Sequence, residues 1–362
     1  MEQALPERPR KGRGAVGNPT GRYESHRRFA VDDGWHLDGD ALAPLRTVVG
    51  EDRARTVIAT NSSPDLPFDQ SINPYQGCEH GCVYCYARPG HAHLGLSPGL
   101  DFESRLFAKT NAPEALERQL RRPGYRCKTI LLGANTDPYQ PVERRLGLTR
   151  RILGVLSDFN HPLAVITKSN LVLRDIDILA PMAERGLASV GISVTTLDRG
   201  LARRLEPRAP TPARRIEAIG RLAAAGVPTA VMASPMIPAL NDAELEAIME
   251  AGASAGAVAA STILVRLPLE LKALFTEWLE THAPDKADHV LSLIRQSRGG
   301  ALYDSSFATR MHGTGPYADL LAQRFHLACK RLGLRAAGGV GFALDVSRFR
   351  PPPRAGDQLS LI

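Results

Sequence analysis

Six short apolar segments alternate with helical patterns between residues 71 and 267, and this alternation restricts the fold more than any other feature of the chain. Short apolar runs bounded by glycine, proline and polar residues are typical of buried strands. Strands that alternate with helices form a parallel sheet covered by helices, so the sequence predicts the α/β class. The predicted strands are Ser71–Gln76, Thr129–Leu132, Leu163–Thr167, Ser189–Thr195, Thr229–Ala233 and Ser261–Leu267.

The helices between these strands carry start and stop signals. Thr211 and Pro212 open a predicted helix that ends at Gly226. Threonine as the cap, proline in the first turn and glycine just past the end are the usual boundary residues. Asn241 is predicted to cap a second helix, which runs to about Ala251.

Composition divides the chain into five segments. Residues 1–28 are rich in Pro, Gly and Arg and are predicted to form a disordered basic arm, since this composition buries little apolar surface. An N-terminal extension over 29–68 precedes the α/β core over 69–270. Helical patterns predict a C-terminal helical extension over 271–345, and residues 346–362 are predicted to be a flexible tail.

The charge of the chain favours a polyanionic partner such as DNA or another nucleic acid. The 362 residues carry a formal net charge of +7, and the cationic residues are mostly arginine. A solvated basic surface is the alternative, and composition does not decide between the two. No apolar run approaches the length of a membrane span, and the chain has few cysteines and no apolar signal segment. A soluble protein of the reducing cytoplasm is therefore expected.

Three of the five cysteines lie within eight residues, at Cys78, Cys82 and Cys85. The spacing Cys-x-x-x-Cys-x-x-Cys brings three thiols into one small region, and thiolates hold [4Fe–4S] clusters. A local triad without a fourth cysteine nearby leaves one iron of such a cluster free for a small-molecule ligand.

Zinc is the alternative metal for these thiols. His80, or His91 and His93, could complete a tetrahedral zinc site. Zinc modules more often pair two separated Cys-x-x-Cys hooks, and the sequence has no second hook. Cys127 and Cys329 are isolated and are interpreted as structural thiols.

The cysteine motif resembles that of the radical S-adenosylmethionine (radical SAM) enzymes, because Tyr84 precedes the last cysteine and a predicted strand precedes the first. In that family SAM chelates the open iron, and the reduced cluster cleaves SAM to methionine and a 5′-deoxyadenosyl radical. The resemblance implies a partial (β/α)6 TIM-type barrel, with a [4Fe–4S] cluster on Cys78, Cys82 and Cys85 and with SAM as the second cofactor. By the same analogy, an electron donor of the flavodoxin or ferredoxin type is expected.

Polar residues follow the second, third and fourth predicted strands, where parallel α/β folds bind their ligands. Considered separately, the first group fits a turn equally well, and the others fit a solvent-facing lysine and a helix cap. These residues are Asn135, Thr136 and Asp137 in the first group, Lys168 in the second and Ser193 in the third.

Together these segments resemble the branch of the radical SAM family that contains spore photoproduct lyase, over roughly residues 70–270. In that resemblance Lys168 and Ser193 bind the SAM carboxylate, and the Asn135, Thr136 and Asp137 loop lies near its amino group. Tyr84 meets the adenine edge, and Met236 belongs to the strand that lines the adenosyl site. Glu206-Pro207 also matches this branch.

One position departs from that branch. Spore photoproduct lyase uses a cysteine after the second strand as hydrogen donor, whereas this loop holds Ala134, Asn135 and Thr136. Cys127 lies at the wrong end of the strand to replace it. The lyase activity is therefore not carried over, and Tyr139 is considered as a redox-active substitute.

The last five residues, Gln358–Ile362, read Gln-Leu-Ser-Leu-Ile and resemble the bacterial sliding-clamp-binding peptide, in which phenylalanine is usual at the last position. A terminal strand or a packed C-terminus is the alternative. Binding to a clamp would connect the protein with DNA repair or replication.

The leading hypothesis is thus a radical SAM enzyme that acts on DNA or another nucleic acid. One alternative is the same chemistry on a protein or a small molecule. The other is a zinc-binding nucleic-acid adaptor without catalysis.

Overall fold

The computed structural model describes residues 8–24, 26, 44–337 and 343–353, which form two sheets surrounded by helices. The strands are β1 Val48–Glu51, β2 Ile58–Thr60, β3 Gln70–Ile72, β4 Tyr75–Gln76, β5 Arg105–Ala108, β6 Ile130–Leu132, β7 Leu163–Thr167, β8 Ala188–Ser193, β9 Thr229–Met236, β10 Ala259–Leu264 and β11 Arg335–Ala336. The helices are α1 Leu100–Ser104, α2 Ala112–Leu120, α3 Glu143–Leu146, α4 Leu148–Asp158, α5 Ile176–Glu184, α6 Arg199–Leu205, α7 Pro212–Ala224, α8 Leu245–Ser254, α9 Leu271–His282, α10 Pro284–Gln296 and α11 Pro316–Leu332.

The main sheet has the strand order β11-β10-β9-β8-β7-β6-β3-β2. The six predicted strands correspond to β3, β6, β7, β8, β9 and β10, and each pairs in parallel with the next one along the chain. Their order in space equals their order in sequence, which is the arrangement of a partial (β/α)6 barrel. An antiparallel β2 lies at one edge, and β1, β5 and β4 form a separate small sheet.

The hydrophobic core lies between the main sheet and the helices that follow its strands. All six residues of β8 are buried, and apolar residues at helical spacing on α4 and α7 cover the sheet, for example Ile152 with Leu156 and Ile219 with Leu222. Continuous burial of a strand on both faces is typical of parallel sheets in α/β proteins.

The predicted helix boundaries are nearly correct. Helix α7 begins at Pro212, and Gly226 adopts a φ of +77°, although the Thr211 hydroxyl makes no capping hydrogen bond. Asn241 has a different role from the predicted cap. Its buried side chain binds the backbone of Thr195, Pro235 and Ile237, while α8 begins only at Leu245.

The region after residue 270 is more than a helical extension. After α11 the chain turns at Gly333, and the two-residue strand β11 adds to the main sheet parallel to β10. The N–H of Arg335 donates to the carbonyl of Val258 over 3.1 Å. The extension therefore completes one edge of the barrel, because the edge of β10 offers free backbone groups.

The prediction of a disordered arm over residues 1–28 is wrong for residues 8–24. Ala15 and Val16 are 1% and 2% exposed, respectively, and Arg13 is also buried. The low apolar content is offset by hydrogen bonds from this segment to Glu103. Residues 44–60, within the predicted N-terminal extension, supply β1 and β2.

The predicted flexible tail is packed over residues 346–353. The ring of Phe349 lies 5.3 Å from that of Tyr125, and the Arg121 guanidinium donates to the carbonyl of Pro352 over 2.8 Å. The predicted clamp-binding peptide, Gln358–Ile362, lies outside the described residues. Among the helices that the structure describes, none is both long enough and apolar enough to span a membrane.

Candidate active site

The three clustered cysteines lie on the loop that follows β4. The N–H of Cys78 donates to the carbonyl of Phe102, and the N–H of Cys85 donates to that of Cys82. Gly77 and Gly81 adopt φ values of +77° and +67°, which let the chain turn tightly on both sides of Cys78. As a result, Cys78, Cys82 and Cys85 all line one cavity.

Burial dominates the chemistry of these thiols. It raises the pKa of Cys78, Cys82 and Cys85, and the negative charges of Asp137 and Glu206 add to the effect at Cys78 and Cys82. Three thiolates in this position therefore need a strong positive charge beside them, which a bound metal group supplies.

Within the described part of the chain, no three His, Cys, Asp or Glu side chains converge on one point where a single metal ion could sit. A cuboidal iron–sulfur cluster makes a different demand, because each thiolate binds its own iron. Cys78, Cys82 and Cys85, which line a common cavity, fit that requirement.

The cavity has a volume of about 820 Å³ and is lined in part by residues at the ends of the main strands. Most of its wall is apolar. Eight of the predicted site residues line it, namely Cys78, Cys82, Tyr84, Cys85, Asn135, Asp137, Lys168 and Ser193.

Lys168 lines the cavity and contacts three other residues of the site. Its Nζ donates to the Ser193 hydroxyl over 2.8 Å, lies 3.9 Å from Oε1 of Glu206 and sits 5.8 Å from the centre of the Tyr84 ring. The Ser193 hydroxyl in turn donates to the carbonyl of Ser234. This ammonium group is thus held in place by three neighbours while still facing the cavity.

Asp137 connects the second and third strand ends. Its carboxylate accepts hydrogen bonds from the Lys168 N–H and the Thr167 hydroxyl, and it lies 3.3 Å from Nδ1 of His80, outside hydrogen-bond alignment. Burial opposes ionisation of Asp137, but the nearby His80 and these hydrogen bonds outweigh it and lower the pKa to about 2. Asp137 is therefore ionised at neutral pH.

Glu206 is a buried carboxylate that connects several side chains of the site. It accepts hydrogen bonds from the Tyr84 hydroxyl, from the Thr195 hydroxyl over 2.6 Å and from the Arg215 guanidinium. Burial would raise its pKa, but Arg215 and Lys168 lower the pKa to about 2. The sequence analysis identified Glu206 as part of the resemblance but assigned it no role, and no local sequence pattern indicated Arg215.

Three predicted site residues do not line the cavity. The Thr136 hydroxyl donates to the carbonyl of Tyr75, and Tyr139 is fully buried in the core with its hydroxyl donating to Asp175. The prediction of Tyr139 as a redox-active substitute is thus wrong, since its side chain does not reach the site.

Met236 also lies in the core, while Met232 lines the cavity. A bulge explains the difference. Between the paired positions Ala233–Thr262 and Met236–Leu264, β9 advances by three residues and β10 by two. One extra residue reverses the alternation of the strand, so Met236 points away from the side that Met232 faces.

Two arginines that line the cavity were not predicted. Arg310 is neutralised by Asp65, with Nε to Oδ2 at 2.5 Å and Nη2 to Oδ1 at 2.7 Å. The Arg266 guanidinium lies 4.7 Å from the centre of the Tyr86 ring and donates to the sulfur of Met311. Within the described residues it has no carboxylate partner. An arginine inside the apolar run Ser261–Leu267 was the signal available in the sequence.

Comparison with known proteins agrees with this geometry. The model of the radical SAM superfamily matches residues 72–252, which include the three cysteines and the ends of five main strands. The chain belongs to the radical SAM superfamily. It is therefore an enzyme, which decides against the zinc-binding adaptor.

The relatives of this radical SAM protein include an uncharacterised protein of Mycobacterium tuberculosis, 37% identical over 243 residues that cover 66% of this chain and 72% of the relative. Another, from Methanocaldococcus jannaschii, is 31% identical over 173 residues, or 48% of this chain and 62% of the relative. Spore photoproduct lyase complexed with dinucleoside spore photoproduct has a similar fold, with a TM-score of 0.52, 15% identity and coverage of 80% and 81%.

Radical SAM enzymes use a [4Fe–4S] cluster and SAM, and these are the cofactors of this chain. When bound, the reduced cluster supplies reductive cleavage of SAM to a 5′-deoxyadenosyl radical. Cys78, Cys82 and Cys85 would hold the cluster, and the apolar wall of the cavity would keep water away from the reaction.

Proposed function

We propose that this radical SAM enzyme acts on DNA or another nucleic acid, and the observation that carries the proposal is Arg266. Its guanidinium stacks on the Tyr86 ring at the wall of the cavity. No described carboxylate lies within ion-pair distance of it, and Asp65, which acts on it at longer range, is already paired with Arg310. Arginine is well suited to phosphate, because its planar group donates two parallel hydrogen bonds. A substrate with a phosphate would supply the missing negative charge.

The shape of the cavity supports the same proposal. About 820 Å³ is enough for SAM together with part of a nucleotide, and the mostly apolar wall suits the faces of a base. Tyr86 is 45% exposed and offers an aromatic surface next to Arg266. The formal charge of +7 would favour approach of a polyanion.

A neighbour in fold adds further support. Spore photoproduct lyase has been solved with bound AdoMet and dinucleoside spore photoproduct. At 15% identity this similarity concerns the fold alone, so the nucleic-acid substrate rests on Arg266 and the cavity.

In this proposal SAM occupies the polar end of the cavity. Lys168 and Ser193 would bind its carboxylate, because the ammonium and the hydroxyl lie 2.8 Å apart in the wall of the cavity. Asp137, which is ionised, and Asn135 would lie near its amino group, and Tyr84 would meet the adenine edge. A reducing cytoplasm would suit the free thiols that hold the cluster.

Binding of fluorescein-labelled oligonucleotides by the reconstituted enzyme, measured by anisotropy over a salt series, tests the proposal. We expect binding that weakens with salt, and Arg266→Gln should make the slope of log K against log salt less negative by about 0.7 to 0.9, the value for one phosphate. Arg214→Gln is the matched control, because Arg214 is exposed on α7 and paired with Glu217.

Wild-type protein that does not bind oligonucleotides at low salt would overturn the proposal, and so would an Arg266→Gln variant with an unchanged salt slope. Dithionite-driven SAM cleavage without substrate should be equal in both variants, which separates a substrate contact from general damage. Transfer of deuterium from labelled DNA, RNA or peptide into 5′-deoxyadenosine then identifies the substrate class directly.

A further inference from the structure

The N-terminal segment lies against the loop that carries the three cysteines. We name residues 12–19, Gly-Arg-Gly-Ala-Val-Gly-Asn-Pro, the strap. Ala15 of the strap belongs to the same buried hydrophobic cluster as Cys82, Val83 and Tyr84. A segment so poor in apolar residues has no reason to be buried unless specific polar contacts hold it there.

Those contacts centre on one buried ion pair. Glu103 and Arg88 are both fully buried, with Nη2 of Arg88 2.5 Å from Oε1 of Glu103. The Glu103 carboxylate also accepts the N–H groups of Gly14 over 2.9 Å and Ala15 over 2.8 Å. The Arg13 guanidinium donates to the Glu103 carbonyl over 2.6 Å.

Arg88 connects the same pair to the cysteine loop. Its Nε donates to the carbonyl of Cys82 over 2.9 Å, and its Nη2 donates to the carbonyl of Gly81 over 3.2 Å. The strap, the ion pair and the backbone at the second cysteine thus form one hydrogen-bonded unit. Displacement of the strap would leave Glu103 with two fewer donors in a buried position.

The strap and the loop touch directly as well. A Cβ on Gly14 would overlap the carbonyl oxygen of Gly81, and a Cβ on Gly81 would lie 2.7 Å from Oε2 of Glu103. At the far end, the side-chain oxygen of Asn18 accepts the N–H of Asp101 over 2.9 Å. Only glycine at position 14 allows this approach.

We propose that the strap is a positioning element for the iron–sulfur cluster, which fixes the backbone of the cysteine loop and slows loss of iron from it. No residue of the strap lines the cavity, and Gly14, Arg13 and Glu103 act through Gly81, Cys82 and Arg88. The inference does not depend on the nature of the substrate.

The test uses the reconstituted full-length enzyme and measures the rate of iron release into a ferrous chelator under anaerobic conditions. Gly14→Ala should release iron faster because the strap must move. Asn18→Ala, a milder change that removes one hydrogen bond at the far end of the strap, should increase the rate about fivefold. The matched control is Gly90→Ala, since Gly90 lies just after the cysteine loop with open space around it.

Electron paramagnetic resonance of the reduced cluster gives a second readout, which a change in global stability alone would not move. We expect altered or broadened signals in Gly14→Ala and a wild-type signal in Gly90→Ala. If Gly14→Ala does not fold, as judged by circular dichroism, Asn18→Ala decides the question. Iron release and spectra equal to wild type in the folded strap variants would overturn the proposal.

Discussion

Replacement of Glu206 by glutamine should destabilise the protein strongly, because the carboxylate of Glu206 is the counterion of a buried arginine. The side chains of Glu206 and Arg215 are 0% and 1% exposed, respectively. The pKa of Glu206 falls from its ordinary 4.5 to about 2. At about 1.4 kcal/mol per pKa unit, ionisation of Glu206 stabilises the fold by about 3 kcal/mol at neutral pH.

Loss of one partner from a buried ion pair costs about 3 to 5 kcal/mol. For 362 residues, the entropy of unfolding is about 0.76 kcal/mol per kelvin. Glu206→Gln should therefore lower the melting temperature of the apoprotein by about 4 to 7 °C at pH 7. Differential scanning calorimetry measures this directly.

Glu217→Gln is the matched control, since Glu217 is 44% exposed and pairs with Arg214 on the surface of α7. It should change the melting temperature by less than about 1 °C. Because the native pKa of Glu206 is depressed, its stabilisation is present above about pH 4.5 and is lost as the pH falls toward about 2. The difference between wild type and Glu206→Gln should shrink over that range. A Glu206→Gln variant that melts within 1 °C of wild type at pH 7 would refute the reasoning.

Three further predictions concern the cofactors and the tail. We expect most of the iron to be lost after anaerobic reconstitution in each of the variants Cys78→Ala, Cys82→Ala and Cys85→Ala. The Cys329→Ala variant should keep its iron, because Cys329 is buried in the core and does not line the cavity. Equal iron content in all four variants would contradict the cluster assignment. Lys168→Met should weaken SAM binding by about 10- to 150-fold in calorimetric titrations, the value of one charge-assisted hydrogen bond, and Lys286→Met on α10 should have no effect. Retention on an immobilised sliding clamp should disappear after combined Gln358→Ala and Leu361→Ala; an intact protein that is not retained would dismiss the clamp peptide.

The sequence predicted the parts of the fold that depend on local patterns. Five of the six parallel strands were predicted well from short apolar runs, because strands buried on both faces are continuous in hydrophobicity. The first prediction, Ser71–Gln76, joined the end of β3 with β4 of the small sheet. Lys168, Ser193 and Asp137 line one cavity because the carboxyl ends of parallel strands meet at one edge, and their roles toward SAM stay predictions from the resemblance.

Features that depend on contacts between distant parts of the chain could not be predicted from the sequence. The strap looked disordered because its burial depends on Glu103, about 90 residues away. The position of Met236 depends on a bulge against β10, which the resemblance did not reveal. Arg215 lies on a helix with an ordinary amphipathic pattern, and only the fold brings it to Glu206.

The hydrophobic cluster beneath the cysteine loop affects how a working fragment of this protein can be chosen. The family model matches residues 72–252, yet the residues that pack with Val83 and Tyr84 include Ala15, Phe275 and Trp278. A fragment cut at the limits of the match would expose the underside of the loop to water. The limits of the family match are thus narrower than those of the folding unit, and the chain must be kept from the strap to α10 to retain the residues that cover the loop.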